Sequence, residues 1–253
     1  MQKLDTQQFG NSGCEITKTE DWVTKKSASL EYNKRFILQI AKQAVYTGNF
    51  LTPKIENVYA EKDGLIAAVM ENCGNPVAMM AHEAPILEKM LTMHLSRKFG
   101  KADFRAQILQ KFQEVSSKLE DQIFAQKVKR RAEKEIYILP VGYCHGDLTL
   151  TNILCKDGEF YLIDFLEDWI PSPAFDMCKI LQDCHYRWYT VTGEPFKEWH
   201  KKLGEKVFLD YIATHGIDHI CGVMLLTLYR ILPYCEKTPR GQFIKDLICK
   251  EFL

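Results

Sequence analysis

One stretch near the middle constrains this chain more than any other: Tyr143-Cys144-His145-Gly146-Asp147-Leu148-Thr149-Leu150-Thr151-Asn152-Ile153-Leu154, then Tyr161-Leu162-Ile163-Asp164-Phe165. Its two short apolar runs are separated by Lys156-Asp157-Gly158, a turn signal that predicts a hairpin. Asn152 stands at the start of one run and Asp164 at the end of the other, so a hairpin brings both to one side. An amide oxygen and a carboxylate suit magnesium, which prefers oxygen donors, keeps several waters and bridges to substrate phosphates. Asp147 is a further carboxylate, able to take a proton from a hydroxyl within hydrogen-bond reach. Together these are the parts that a phosphoryl-transfer site needs.

In protein kinases the corresponding pattern is His-Arg-Asp-x-x-x-x-Asn followed by Asp-Phe-Gly. Here it reads His-Gly-Asp-x-x-x-x-Asn followed by Ile-Asp-Phe. That version resembles the aminoglycoside phosphotransferase and choline kinase group, small-molecule kinases with a protein-kinase-like fold. The resemblance runs from Gly10 to about Trp188. Its wording through Ile-Asp-Phe-Leu-Glu-Asp is most similar to phosphotransferase-like proteins of bacterial surface-polysaccharide loci.

The resemblance implies an α+β, bilobal, protein-kinase-like fold. A small antiparallel-sheet lobe that binds nucleotide would span 1–72, and a larger, mostly helical lobe with the catalytic loop and acceptor site would span 73–253. It implies ATP and Mg2+, with Asp147 as base, Asn152 and Asp164 as metal ligands, and His145 supporting the catalytic loop by hydrogen bonding. Asp176 matches a buried Asp that braces the same loop; alone it reads equally as a carboxylate at a helix N-terminus. Gly10-Asn11-Ser12-Gly13 would lie over the phosphates, its backbone N–H groups meeting anionic oxygens. Val69-Met70-Glu71-Asn72-Cys73 resembles the hinge strand whose backbone reads adenine, with Met70, Glu71 and Cys73 as the nucleotide-binding residues.

A cation for the phosphates should come from the strand after the glycine turn. Lys25 and Lys26 are adjacent and point to opposite faces. Lys26, on the face of Trp22 and Thr24, is the expected one. The resembled fold usually pairs this Lys with a helix Glu; here that position holds Gln39, with Glu31 as a substitute nearer the helix start. A neutral amide can orient an ammonium but cannot neutralise it. Acceptor-lining candidates are Glu167, Asp168 and Trp169, then Asp183, Tyr186, Arg187 and Trp188. Acidic and aromatic groups suit an amine or a sugar.

The rest of the chain frames this centre. Strand-like runs at 14–19 and 21–27, a helix over 30–46, and strands at 55–59 and 65–70 come first. Helical patterns then dominate at 85–95, 101 to about 135, 174–189, 195–214, 217–229 and 242–252, with strands only around the central motif. The basic run Lys127-Val128-Lys129-Arg130-Arg131 lies among Glu114, Glu120, Asp121, Glu133 and Glu135, the mixed signs of a solvated helix face rather than a nucleic-acid footprint. His215 and His219 stand four apart with no third ligand, which favours core or surface histidines over a metal site.

Lys plus Arg equals Asp plus Glu at 33 each, so no bulk charge draws the chain to nucleic acid or a membrane surface. Nine scattered cysteines, without a Cys-x-x-Cys pair, fit a reducing compartment; with no apolar leader and no apolar run of membrane-spanning length, the expectation is cytoplasmic. The sequence therefore points to a kinase for a small hydroxylated acceptor, either a sugar or sugar-related molecule or an amino alcohol. The rival readings are a protein kinase, which the lack of an Ala-Pro-Glu segment after Asp164 opposes, and a nucleotide-binding pseudokinase, which Gln39 motivates.

Overall fold

The computed structural model describes residues 13–80, 85–167, 169–187 and 197–253. The chain forms two compact units, Met1–Met80 with Leu150–Asp168, and Ala81–Thr149 with Trp169–Leu253. The central hairpin thus groups with the N-terminal sheet, while the preceding loop through Thr149 groups with the helices.

The first unit is built on an antiparallel sheet of β1 (Glu15–Lys18), β2 (Trp22–Lys26), β3 (Ile55–Ala60) and β4 (Ile66–Glu71), in the order β1-β2-β4-β3. Helix α1 (Asn33–Ala44) lays Phe36 and Ile40 on Cys14, Ala68 and Met70. Phe36 and Ile40 are four apart and share a helix face, whereas Ile37 and Leu38 are left exposed. A second sheet joins β5 (Asn75–Pro76), β8 (Ile153–Lys156) and β9 (Glu159–Leu162) in the order β5-β8-β9. Lys156 pairs with Glu159 across a two-residue turn in which Asp157 and Gly158 both have positive φ, 53° and 80°. That is the turn geometry an Asp-Gly pair favours. Gly74 has φ 86°, and a Cβ there would lie 2.4 Å from the carbonyl oxygen of Cys155, so only glycine admits the crossing of β5 and β8. The Leu51 N–H donates to Phe160 O and the Leu162 N–H to Leu51 O, each at 2.9 Å, tying the hairpin into its unit.

The second unit holds α2 (Pro85–Ser96), α3 (Arg105–Ser116), α4 (Gln122–Ala132), α5 (Pro173–Cys184), α6 (Glu198–His215), α7 (Ile220–Tyr229) and α8 (Pro239–Glu251). Helix α7 is apolar on nearly every face and buried along most of its length, as an all-round hydrophobic helix must be.

The expected long helix over 101–135 is corrected. Its start is a strand, β6 (Gly100–Asp103), paired antiparallel with β7 (Ile138–Val141), and the remainder is α3 and α4. Local capping explains the division. Asp121 caps α4, its Oδ1 accepting the Phe124 N–H at 3.0 Å, while ahead of α3 the Asp103 carboxylate turns the chain by accepting the Arg105 N–H at 2.8 Å. The expectation of no strands beyond the central pair fails for β5, β6 and β7, which are too short for a period of two to be read from them.

In α4, Arg131 pairs with Glu135 and donates to Phe252 O at 2.8 Å, while Lys129 bonds Gln113, so part of the basic run is engaged within the chain. His215 Nε2 lies 2.8 Å from Leu95 O and His219 Nε2 2.8 Å from the Tyr211 hydroxyl. Burial pushes the His219 imidazole down to about 4.

Candidate active site

The predicted catalytic loop lies in the second unit. Ser172 accepts the Ala174 N–H at 3.3 Å and Pro173 opens α5, which places Asp176 in the first turn of that helix. Asp176 is completely buried and well supplied with donors. Its Oδ2 accepts the His145 backbone N–H at 2.6 Å and its Oδ1 the Gly146 N–H at 2.8 Å, while His94 Nε2 lies 3.0 Å from Oδ2. Burial alone would raise this carboxyl; the His94 contact and the backbone donors outweigh it and hold it below the usual carboxylate range.

Gly146 has φ 91°, and the Thr149 N–H donates to Asp147 O at 2.8 Å, so the loop turns sharply around Asp147. The Asp147 N–H donates to His145 Nδ1 at 3.2 Å, which makes that nitrogen an acceptor and the buried ring a loop support. Lys179 Nζ of α5 lies 3.0 Å from Asp147 Oδ1. Burial works to raise the Asp147 carboxyl, but the Lys179 ammonium reverses the effect and keeps it below its ordinary value.

The residues predicted to hold metal and nucleotide lie in the first unit. Asn152 ends a short 3-10 turn, and its carbonyl accepts the Ile163 N–H at 3.1 Å, which sets Asn152 beside the start of the Asp164 segment. Asp164 has φ 61°, a left-handed conformation that costs a non-glycine residue about 1 kcal/mol. Its Oδ1 accepts from Lys25 Nζ at 2.7 Å. Burial pulls the Lys25 ammonium down, yet the Asp164 carboxylate overrides that and leaves it raised. A cavity beside the pair is lined by Lys25, Gln39, Met70, Asp164 and Phe165, among others.

The expectation that Lys26 serves the site is corrected. Lys26 pairs with Asp63 at the sheet surface, and Lys25 is the buried lysine that reaches Asp164. In the β2–β4 register Lys25 opposes Ala68 and Val23 opposes Met70, so these share the face packed on α1. Val23 marked the inner face; the bulk of Trp22, which is exposed, misdirected the reading.

Gln39 does occupy the helix position facing this site, but it does not contact Lys25 by hydrogen bond. Its amide donates to Glu167 Oε2 at 3.2 Å, and Arg35 meets Glu167 Oε1 at 2.7 Å. Lys42 donates to Leu166 O at 2.7 Å, so α1 grips the segment directly after Asp164 at three points. Glu167, expected against the acceptor, is thus tied to α1.

Gly10, Asn11, Ser12, Asp168 and Trp188 lie outside the described residues; Gly13 sits just before β1 with φ 69°. Met70 is buried in the core under α1. Cys73 packs with Leu154, Tyr161 and Ile163, and burial pushes its thiol up to about 12. Trp169 stacks edge-on with Phe175 and lies under Arg230, and Asp183 is buried.

Asn152 and Asp164 fit a magnesium ion by chemistry. Both offer oxygen, they are neighbours across the hairpin, and Asp164 already holds one cation, the Lys25 ammonium. Among the described residues no group of three or more His, Cys, Asp or Glu gathers as a protein cage. Lys179 escaped sequence reasoning, and Glu167 was expected against the acceptor rather than bound to α1. The available signal for Lys179 was its spacing of three from Asp176 on one helix face.

No protein-family model matches the chain. Among solved structures it is similar to the GDP and kanamycin complex of APH(2")-IIia, at 16% identity and TM-score 0.63, over 97% of this chain and 90% of that one. The streptomycin–ATP–APH(2")-IIa ternary complex matches at 13% identity and TM-score 0.61, over 98% and 91%. A thermostable aminoglycoside phosphotransferase APH(4)-Ia, in ternary complex with ADP and hygromycin B, matches at 10% identity and TM-score 0.65, over 97% and 92%. In sequence, the KEOPS complex subunit Bud32 of Pyrococcus abyssi is 29% identical over 100 residues, which span only 36% of this chain and 40% of that protein. The structural likenesses establish the fold: the chain has the protein-kinase-like fold of the aminoglycoside phosphotransferases, with an antiparallel-sheet part and a helical part.

Proposed function

We propose that this chain transfers the γ-phosphate of ATP to a hydroxyl of a small molecule, in the presence of magnesium. The observation that carries the reading is the Lys25–Asp164 contact at 2.7 Å, which joins residues far apart in sequence next to Asn152. A buried lysine facing a carboxylate on a strained backbone is a costly arrangement for stability alone, and such strain gathers where function requires it. The fold shared with nucleotide-bound phosphotransferases supports the same conclusion.

In this reading Asp147 accepts the proton of the acceptor hydroxyl as the oxygen attacks phosphorus, and His145 and Asp176 hold the loop that carries it. Lys25 exchanges its partner for phosphate oxygens when the nucleotide binds, and Asn152 and Asp164 hold the magnesium. The bound ion would supply neutralisation of the charge on the phosphates. Residues 1–72, with Gly10 to Gly13 and with Met70 and Glu71, serve the nucleotide together with Cys73, and 73–253 supply the base and the acceptor site. The acceptor is a sugar, a sugar-related molecule or an amino alcohol, and nucleic acid is not a partner. Among the described residues no helix is long and apolar enough to cross a membrane, and the proposed compartment is the cytoplasm.

The test is a broad acceptor screen that follows ADP release from magnesium–ATP, with Asp147→Asn as control. Turnover with one or more small alcohols, lost in Asp147→Asn, supports the proposal. Nucleotide binding by thermal shift with no Asp147-dependent turnover on any acceptor would make the chain a nucleotide-binding module. Transfer to proteins but to no small alcohol would make it a protein kinase.

A further inference from the structure

Helix α5 grips the catalytic loop residue by residue. Asp176 takes the backbone N–H groups of His145 and Gly146. Three residues on, Lys179 meets the carboxylate of Asp147 at 3.0 Å. Three further, Gln182 accepts from Lys179 Nζ through its Oε1 at 3.2 Å. Residues three apart stand above one another on a helix, so 176, 179 and 182 form one ladder facing the loop. Asp176 and Gln182 are buried, at 0% and 1% exposure.

We infer that Lys179, propped by Gln182, is a positioning residue for phosphoryl transfer that fixes where the Asp147 carboxylate points. The inference rests on the kinase reading above. A lysine stem is flexible and orients a partner only when it is itself anchored. Gln182 supplies that anchor, so two of the three ammonium hydrogens have assigned directions. The charged or titratable groups acting on Asp147 are Lys179 from α5, Arg230 beyond α7, and His145 from its own loop, and Lys179 has the largest favourable effect. It also opposes the desolvation that works to raise this carboxyl. The pair is partly open to solvent, with side chains 17% and 33% exposed, so its loss should weaken the fold little. What it supplies is geometry, which controls rate more than affinity for nucleotide.

The experiment uses the full chain, magnesium–ATP and a mixed panel of sugars and amino alcohols, with ADP release as readout. Lys179→Met should lower kcat about 10- to 100-fold while KM for ATP stays within about twofold. The loss should grow as pH falls, because an unaccompanied Asp147 protonates more readily. Lys179→Arg should recover most of kcat. Equal losses in the Met and Arg variants, a loss independent of pH, or a rise in KM with kcat intact would each overturn the inference. So would loss of the fold in both Lys179→Met and Lys179→Gln, since the pair would then be a stability element. Absence of any Asp147-dependent turnover by the unmodified chain is instead a failure of the kinase reading. The pair is then read from the Asp147 13C carboxyl signal, assigned by its loss in Asp147→Asn. Its titration moves upward in Lys179→Met if Lys179 governs the carboxylate, and stays in place if it does not.

Discussion

The predicted site residues fall into two sets, one in each unit, and the two sets are held by opposite means. In the second unit the loop around Asp147 is fastened by a buried carboxylate, Asp176, with two backbone N–H groups and His94 upon it. In the first unit Asp164 is 43% exposed, sits at φ 61° and is held from the sheet by one ammonium, with α1 gripping the segment that follows. The difference follows the demands of the chemistry. In the proposed reaction a base must stay in place from one turnover to the next, whereas a carboxylate that takes up magnesium must surrender one cation partner for another.

The sharpest way to break this contrast is through activity. Asp147→Asn should reduce turnover by about a thousandfold while leaving thermal stability nearly unchanged, measured by ADP release and by calorimetry. Retained turnover would remove the base from the mechanism. Next in size is Asp176→Asn, which leaves His94 and two buried backbone donors poorly matched and should cost about 3–5 kcal/mol in denaturant unfolding.

The same residue sets an acid dependence. Its folded carboxyl titrates below the usual value of 3.8, so its contribution is fully present above that pH and is lost as pH falls through the lower folded value. Unfolding curves between pH 6 and pH 3 should therefore show the wild-type chain losing stability that Asp176→Asn no longer has to lose.

Smaller again is the expected stability change in Lys25→Met, about 1 kcal/mol or less, because the Asp164 it leaves behind can hydrate. Its effect should appear as a weakened thermal shift with magnesium–ATP. A stability loss as large as that of Asp176→Asn would erase the distinction between the two sets. The smallest effect belongs to Lys26→Met, which should leave both the unfolding midpoint and nucleotide binding unchanged, since its pair with Asp63 lies at the surface. Equal effects at 25 and 26 would contradict the assignment of the buried lysine.

Much of this arrangement was legible before folding. The hairpin was readable because Asp157-Gly158 demands a particular backbone and because Ile153-Leu154 and Phe160-Tyr161-Leu162 flank it. The first four strands and α1 followed from runs long enough to show a period. What failed has a common physical cause. Lys25 and Lys26 differ only in strand face, which is decided by Phe36 and Met70 from elsewhere in the chain. The break between α3 and α4, and the strands β6 and β7, depend on caps and on pairings between distant residues. Glu167 could be suspected near the site from its place after Asp164, but its contact with Arg35 and Gln39 is a product of tertiary folding.

The return of residues 150–168 to the N-terminal unit carries a consequence for biosynthesis. The sheet β1-β2-β4-β3 leaves the ribosome early, yet Cys73 and Gly74 find Leu154, Cys155 and Tyr161 only after the intervening helices have been made. At about 5–20 residues per second, that segment waits for several seconds with an unfinished edge. A nascent chain arrested before residue 150 should accordingly expose its Cys73 thiol to alkylation, and one arrested after the hairpin has emerged should bury it.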